Sequence, residues 1–70
     1  MSDWRAIVGT NVRQRRQQAG LTQEQLAFAA EIDLTYVGGI ERGKRNPSVL
    51  VLARIANALN TEPAELLVRR

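Results

Sequence analysis

The chain has 70 residues, 44% of them hydrophobic, and contains neither cysteine nor histidine. This composition excludes a disulfide framework and a metal site built on cysteine or histidine, and no apolar run is long enough for a membrane span or a signal peptide. A chain of this size buries only about 60% of its unfolded surface, so tight helix packing or dimerisation must support its small core. We therefore expect one cytoplasmic domain over residues 1–70.

Ten lysines and arginines against seven aspartates and glutamates give a formal charge of +3. The basic side chains are not spread evenly, because two clusters flank residues 22–41. Their members are Arg13, Arg15 and Arg16 before this stretch, and Arg42, Lys44 and Arg45 after it. A solvated basic surface would explain such clusters without a function. Their position on both sides of one two-helix stretch favours contact with DNA phosphates, because bound cations release the counterions of the duplex.

Helix 1 is predicted over residues 4–19. Asp3 is a favourable N-cap residue, and Gly20 suits the left-handed conformation that often ends a helix. Val8 and Val12 are one turn apart and are therefore expected to face the core.

Two other residues of helix 1 need a separate explanation. Trp4 is predicted to close the bottom of the core, with a subunit contact as the alternative. Arg15 continues the stripe of core-facing residues, and we expect its hydrocarbon stem to pack while its guanidinium group stays in water.

Helix 2 is predicted over residues 23–31. Thr22 and Gln25 have the spacing of a capping box, in which the Thr22 hydroxyl accepts from the third helical N–H and the Gln25 side chain reaches back. The apolar positions Leu26, Ala27 and Ala30 form a stripe only wide enough to pack against a neighbouring helix.

Helix 3 is predicted over residues 34–41. Asp33 is a strong N-cap residue and follows helix 2 almost at once, so the two helices meet at a tight corner. Val37 and Ile40 are spaced to face inward, and Gly43 ends the helix. Two short helices at such a corner have the shape that enters a DNA groove.

Residues 42–47 form a basic loop, after which Ser48 caps a helix predicted over residues 49–59. The core face of this helix is predicted from helical spacing to comprise Val49, Leu52, Ile55, Ala56 and Leu59. Leu50 and Val51 lie beside that face. They extend a dimer interface or are partly buried within the subunit, and the sequence favours neither alternative.

A fifth helix is predicted over residues 63–68. Asn60 suits the left-handed end of helix 4, and Pro63 suits the first position of the next helix. Leu66 and Leu67 are expected to pack into the core. The predicted fold is therefore all-α, a compact five-helix domain.

The pattern as a whole resembles the lambda-repressor-like helix-turn-helix family, also called the Cro/CI or XRE family. The residues that carry the resemblance are Gln23, Leu26, Ala27, Ile32, Asp33, Tyr36, Val37, Ile40, Glu41, Gly43, Asn46, Pro47 and Ser48, within about residues 8–67. The stretch from Tyr36 to Gly43 also looks like the controller proteins of restriction-modification systems. The resemblance implies a homodimer on duplex DNA, with helix 3 of each subunit in major-groove faces about 34 Å apart.

The resemblance also implies roles for individual residues. Arg16 is expected to pair with Glu41 and so to lock helix 1 to helix 3, while its remaining hydrogens are free for a phosphate. Gln23, at the start of helix 2, is expected to bind a DNA phosphate. Glu31 departs from the family pattern, which frequently has a left-handed glycine there. Either the turn differs locally or it accepts strain of about 1 kcal/mol.

The residues expected to face base edges are Asp33, Leu34, Thr35, Gly38 and Gly39. This set lacks the arginine, asparagine or glutamine that makes bidentate base contacts, so direct readout is expected to be modest and DNA shape to contribute more. Asp33 is expected mainly to cap. Each glycine inside the helix costs roughly 0.5–1 kcal/mol relative to alanine. Either the glycines are a tolerated imperfection, or they let the helix sit deep in the groove or let basic loop residues reach the bases.

The remaining expected phosphate contacts are Tyr36, Arg42, Lys44, Arg45 and Asn46, with a core position as the first role of Tyr36. The resulting prediction is a dimeric transcriptional regulator that binds a pseudo-palindromic operator. The alternative is a protein-interaction module with the same fold, such as an antitoxin. Enzyme activity, a cofactor, a metal, a membrane and a small-molecule ligand are not expected, because the chain has no catalytic or ligand-binding motif.

Overall fold

The computed structural model describes residues 3–70, which form α-helices and one 3₁₀ helix and no strand. The elements are α1 (Trp4–Gln18), α2 (Gln23–Ala30), α3 (Leu34–Glu41), α4 (Val49–Ala58) and the 3₁₀ helix (Pro63–Leu67). The predicted all-α fold is thus confirmed.

The four N-caps predicted from sequence are all present. The side chains of Asp3, Thr22, Asp33 and Ser48 each accept a hydrogen bond from a backbone N–H in the first turn of the following helix. The capping box at the start of α2 is complete, because Gln25 Oε1 also accepts from the Thr22 N–H at 2.8 Å. Caps of this kind satisfy donors that a helix leaves free, which explains why these four positions determine where the helices start.

The prediction of a fifth α-helix over residues 63–68 is wrong, because Pro63–Leu67 forms a 3₁₀ helix. The segment is too short to build a run of α-helical hydrogen bonds, and Glu65 N–H bonds to the Glu62 carbonyl three residues back. The carbonyls of Leu66 and Val68 bond to the Asn11 side chain of α1 instead.

The core lies between the four helices and beneath the 3₁₀ helix. Its buried apolar residues are Val8, Val12, Leu26, Ala27, Ala30, Val37, Ile40, Leu52, Ile55, Ala56, Leu59 and Leu66. α1 packs against α3 and the 3₁₀ helix, and α4 packs against α2 and the 3₁₀ helix. The helical spacing therefore identified most of the core, and the described residues leave no buried side-chain nitrogen or oxygen without a partner.

Three residues predicted to be in the core are exposed. Val49 is 76% exposed because it is the first residue of α4 and lies one turn before the first buried position, where the core ends. Val51 packs partly against the core instead. Trp4, in the first turn of α1, is half exposed beside the Arg69 guanidinium, and Leu67 lies on the outer side of the 3₁₀ helix, next to the fully buried Leu66.

The helix ends use left-handed residues where the sequence predicts them. Gly20, Gly43 and Asn60 have φ of +73°, +72° and +57°. Glu31 also accepts the left-handed conformation, with φ of +58°, although it is not glycine. The turn between α2 and α3 therefore keeps its geometry at a backbone cost of about 1 kcal/mol.

Candidate nucleic-acid interface

α2 and α3 are joined by a turn of only three residues, Glu31 to Asp33. Asp33 Oδ1 accepts a hydrogen bond from the Thr35 N–H at 2.9 Å, so this carboxylate caps α3. Leu34 is 41% exposed and the Thr35 side chain is also exposed. The first turn of α3 thus presents one apolar and one hydroxyl side chain to solvent.

An ion pair connects α1 to the end of α3. Arg16 Nε and one Nη donate to the two carboxylate oxygens of Glu41 at 2.7 and 3.0 Å, and the other Nη donates to the Leu21 carbonyl at 2.8 Å. The side chains of Arg16 and Glu41 are only 12% and 3% exposed. The hydrogen bond to Glu41 raises the pKa of Arg16 above its usual value, so the guanidinium group stays charged.

The same carboxylate also binds α2. Gln23 Nε2 donates to Glu41 Oε1 at 3.0 Å, and the Gln23 side chain is half-buried. Glu41, the last residue of α3, therefore connects that helix to the first residue of α2 and to the last turn of α1. This network fixes the angle of α3 to the rest of the domain.

The outer side of α3 is covered by arginine side chains. Gly38 and Gly39 are buried, although neither belongs to the apolar core. A Cβ atom added to Gly38 would lie 3.0 Å from an Nη atom of Arg42, and one added to Gly39 would lie 2.8 Å from Cγ of Arg45. The two glycines thus form a shallow shelf on which the guanidinium group of Arg42 and the stem of Arg45 rest.

Tyr36 helps to place Arg45. Its ring is half-buried against the core, and the Arg45 guanidinium carbon lies 5.7 Å from the ring centroid, at the distance of a cation–π contact. Arg45 therefore lies between an aromatic ring and a glycine backbone.

The two basic clusters differ in their partners. Arg15 and Arg16 are paired with Glu65 and Glu41 respectively. No carboxylate in residues 3–70 lies within ion-pair distance of Arg42, Lys44 or Arg45, all of which are exposed. Arg13, the third member of the first cluster, is exposed and also lies outside ion-pair distance of the carboxylates in residues 3–70. Three cations without an ion pair nevertheless lie together in the loop after α3, where Asn46 is also exposed.

A model of the helix-turn-helix family HTH_3 matches residues 12–66. The chain belongs to this family. Within it, α2 and α3 form the helix-turn-helix unit.

Residues 3–70 contain no helix with the length and apolarity needed to cross a bilayer.

Several helix-turn-helix proteins are similar over nearly the whole chain. Control protein C.SmaI of Serratia marcescens is 41% identical over 68 residues, which is 97% of this chain and 81% of that protein. The uncharacterised HTH-type transcriptional regulator y4dJ of Sinorhizobium fredii is 39% identical over 64 residues, 91% of this chain and 83% of that protein. The crystal structure of the restriction-modification controller protein C.AhdI of Aeromonas hydrophila superposes with a TM-score of 0.86 at 45% identity, covering 89% of this chain and 94% of C.AhdI.

The packing of α1 against the rest of the domain depends on two of its residues that the sequence did not identify. A Cβ atom at Gly9 would overlap the Ile40 carbonyl oxygen and lie 3.0 Å from that of Glu41, so this glycine lets the backbones of α1 and α3 meet. Asn11 is 3% exposed, and its side-chain amide donates to the carbonyls of Leu66 and Val68 at 3.0 and 2.8 Å. A glycine and an asparagine inside a good helix were the available signals, because both weaken helices unless packing requires them.

One further contact and one exposed aromatic residue were also missed. Arg15 does not merely extend into water, because one of its Nη atoms lies 2.8 Å from Glu65 Oε1 in the 3₁₀ helix. Phe28, on the outer side of α2, is 88% exposed, and no periodicity rule marks it as exceptional.

Proposed function

We propose that this protein is a transcriptional regulator that binds duplex DNA as a homodimer, with α3 of each subunit in the major groove. The observation that carries the proposal is the concentration of unpaired cations directly after α3 of a helix-turn-helix unit. Positive charge at this position neutralises phosphates beside the groove that α3 would enter. The similarity to C.SmaI and C.AhdI supports a narrower role as a controller of a restriction-modification operon.

The first turn of α3 supplies the candidate base contacts. Leu34 and the methyl group of Thr35 suit thymine methyl groups, and the Thr35 hydroxyl suits a base edge. Asp33 is engaged as a cap and is therefore assigned to positioning α3.

The phosphate contacts are assigned to exposed or half-buried polar groups around α3. Lys44 and Asn46 are exposed in the basic loop, and Tyr36 is half-buried with the Arg45 guanidinium over its ring. Gln23 donates one amide hydrogen to Glu41 and has a second for a phosphate. Arg16 uses three of its five donor hydrogens within the domain, so we assign it first to the structural pair with Glu41.

A dimer contact is proposed on the outer side of α4. Leu50 is 77% exposed, whereas Val51 is partly buried against the core, which leaves Leu50 as the main apolar candidate. At micromolar concentration, we expect Leu50→Asp to lower the sedimentation coefficient from that of a dimer to that of a monomer without unfolding the domain. Phe28→Asp is the matched control, because Phe28 is equally exposed on α2. A dimer lost only in the Phe28 variant would place the interface on α2.

The decisive test of the proposed function is selection of bound duplexes from a random DNA library at near-physiological salt, followed by sequencing. We expect an inverted repeat with half-sites about one helical turn apart, because a symmetric dimer presents two α3 helices at that spacing. An absence of any enriched sequence would contradict sequence-specific binding.

A protein-interaction module is the second candidate function. The exposed apolar side chains Phe28, Val49 and Leu50 favour it, because a small domain rarely exposes such residues without use. Under this alternative DNA affinity falls steeply with salt and shows no sequence preference.

A further inference from the structure

We propose that Arg42 and Arg45, rather than side chains of α3 itself, read guanine in the operator half-site. The proposal rests on the proposed DNA-binding function and identifies the base that the site recognises. From the sequence, both residues are expected to contact phosphates, and base contact by the basic loop is only one of several explanations for the two glycines; the structure names the two arginines and the base.

The outer face of α3 offers little for direct readout. The side chains from Leu34 to Glu41 include no arginine, lysine, asparagine or glutamine. Gly38 and Gly39 offer no side chain at all. A regulator that distinguishes guanine needs donors for O6 and N7, and an arginine fork is the commonest group that provides them.

The missing donors lie on the glycine shelf formed by Gly38 and Gly39. The Arg42 guanidinium reaches Gly38, since one of its Nη atoms is 3.0 Å from where a Cβ atom would stand. Side chains at the end of a helix lean toward its N-terminus, so this group lies over the outer side of α3 rather than beyond its end. The stem of Arg45 passes even closer to Gly39, at 2.8 Å from Cγ and 3.2 Å from Nε.

Both guanidinium groups are available to a ligand, and that of Arg45 is also held in place. Arg45 is oriented by the Tyr36 ring, so that less side-chain freedom is lost when it binds a base. Neither arginine has a carboxylate partner within residues 3–70, in contrast to Arg15 and Arg16. The two glycines, which are costly inside a helix, thus lie directly beneath two arginines that have no ion-pair partner among the described residues.

The test repeats the duplex selection with the wild type and with Arg42→Lys and Arg45→Lys. Lysine keeps the charge but loses the bidentate fork. We expect the wild-type half-site to contain a strongly preferred guanine, and each variant to lose about 5- to 150-fold of the preference at one guanine position. The salt dependence of non-specific binding should remain unchanged. Arg54→Lys, an exposed exchange on α4, is the matched control.

A second variant checks the role of the shelf. Gly39→Ala displaces the Arg45 stem. We expect it to reduce the guanine preference at the same operator position as Arg45→Lys does. A half-site whose guanine preference survives both lysine variants would overturn the inference while leaving the regulator function in place. A wild-type protein that enriches no sequence would overturn both.

Discussion

The inner and outer faces of α3 both depend on glycine, but the neighbours of these glycines differ. On the inner face, Gly9 of α1 meets backbone carbonyls of α3, which cannot move without displacing a helix. On the outer face, Gly38 meets the guanidinium end of Arg42 and Gly39 meets the stem of Arg45, and both side chains are flexible. The inner contact therefore determines whether the domain folds, and the outer contact determines what its surface presents.

The charges on the two faces differ in the same way. Arg16 and Glu41 are almost buried and satisfy each other. Arg42 and Arg45 are exposed and lie outside ion-pair distance of every carboxylate in residues 3–70. We therefore expect substitutions on the inner face of α3 to change the stability of the domain, and substitutions on its outer face to change DNA binding.

The largest effect is expected for Gly9→Ala. The added methyl group overlaps the Ile40 carbonyl, so α1 and α3 must separate, at a cost of about 3 kcal/mol in the free energy of unfolding measured with urea. A domain of this size has only roughly 3–5 kcal/mol available from its core. Thr10→Ala, at the exposed neighbouring position, should change stability by less than about 0.5 kcal/mol. Equal stability of the two variants would show that the backbone contact is not required.

The next effect is expected at the ion pair. Arg16→Met or Glu41→Gln alone should destabilise the domain by about 2 to 3 kcal/mol, less than for a fully buried pair because Arg16 retains some exposure. The double variant should cost clearly less than the sum of the two, with a coupling above about 1 kcal/mol in urea unfolding. Additive losses would mean that Arg16 and Glu41 act independently.

On the outer face, alanine is expected to be tolerated. Gly38→Ala should stabilise the domain by about 0.5 kcal/mol, because the gain in helix propensity exceeds the cost of moving the end of Arg42. Gly39→Ala should gain less, since its methyl group meets Arg45 nearer the backbone and disturbs the contact with Tyr36. Thermal unfolding of both variants shows which one is more stable. A larger gain for Gly39→Ala than for Gly38→Ala would contradict this account of the shelf.

The smallest change in stability is expected when the outer arginines are removed. Arg42→Ala should shift the free energy of unfolding by less than about 0.5 kcal/mol, because Arg42 has no ion pair to lose among the described residues. Arg45→Ala should cost about 0.5 kcal/mol, because it loses only the exposed contact with Tyr36. DNA affinity measured by fluorescence anisotropy should nevertheless fall. A loss of stability comparable to that of Arg16→Met would remove the distinction between the two faces.

Features that depend on neighbours in the chain could be predicted from the sequence. Asp3, Thr22, Asp33 and Ser48 start helices because their side chains bond to backbone groups two or three residues away. The spacing of apolar residues likewise identified the buried side of every α-helix. The predictions for Trp4 and Val49 were wrong because both residues start a helix. Periodicity indicates which side of a helix faces the core, but not how far along the helix the core extends.

The sequence by itself thus determined the helix starts, most of the core and the helix-turn-helix pattern, since each follows from local hydrogen bonding or from helical periodicity. Only the tertiary structure decided that Gly9 brings two backbones together, that Asn11 holds the C-terminal segment and that Arg42 and Arg45 rest on glycines. Each of these depends on distances between segments that are separated in the chain or on how a side chain folds back. Such distances emerge only when the helices pack.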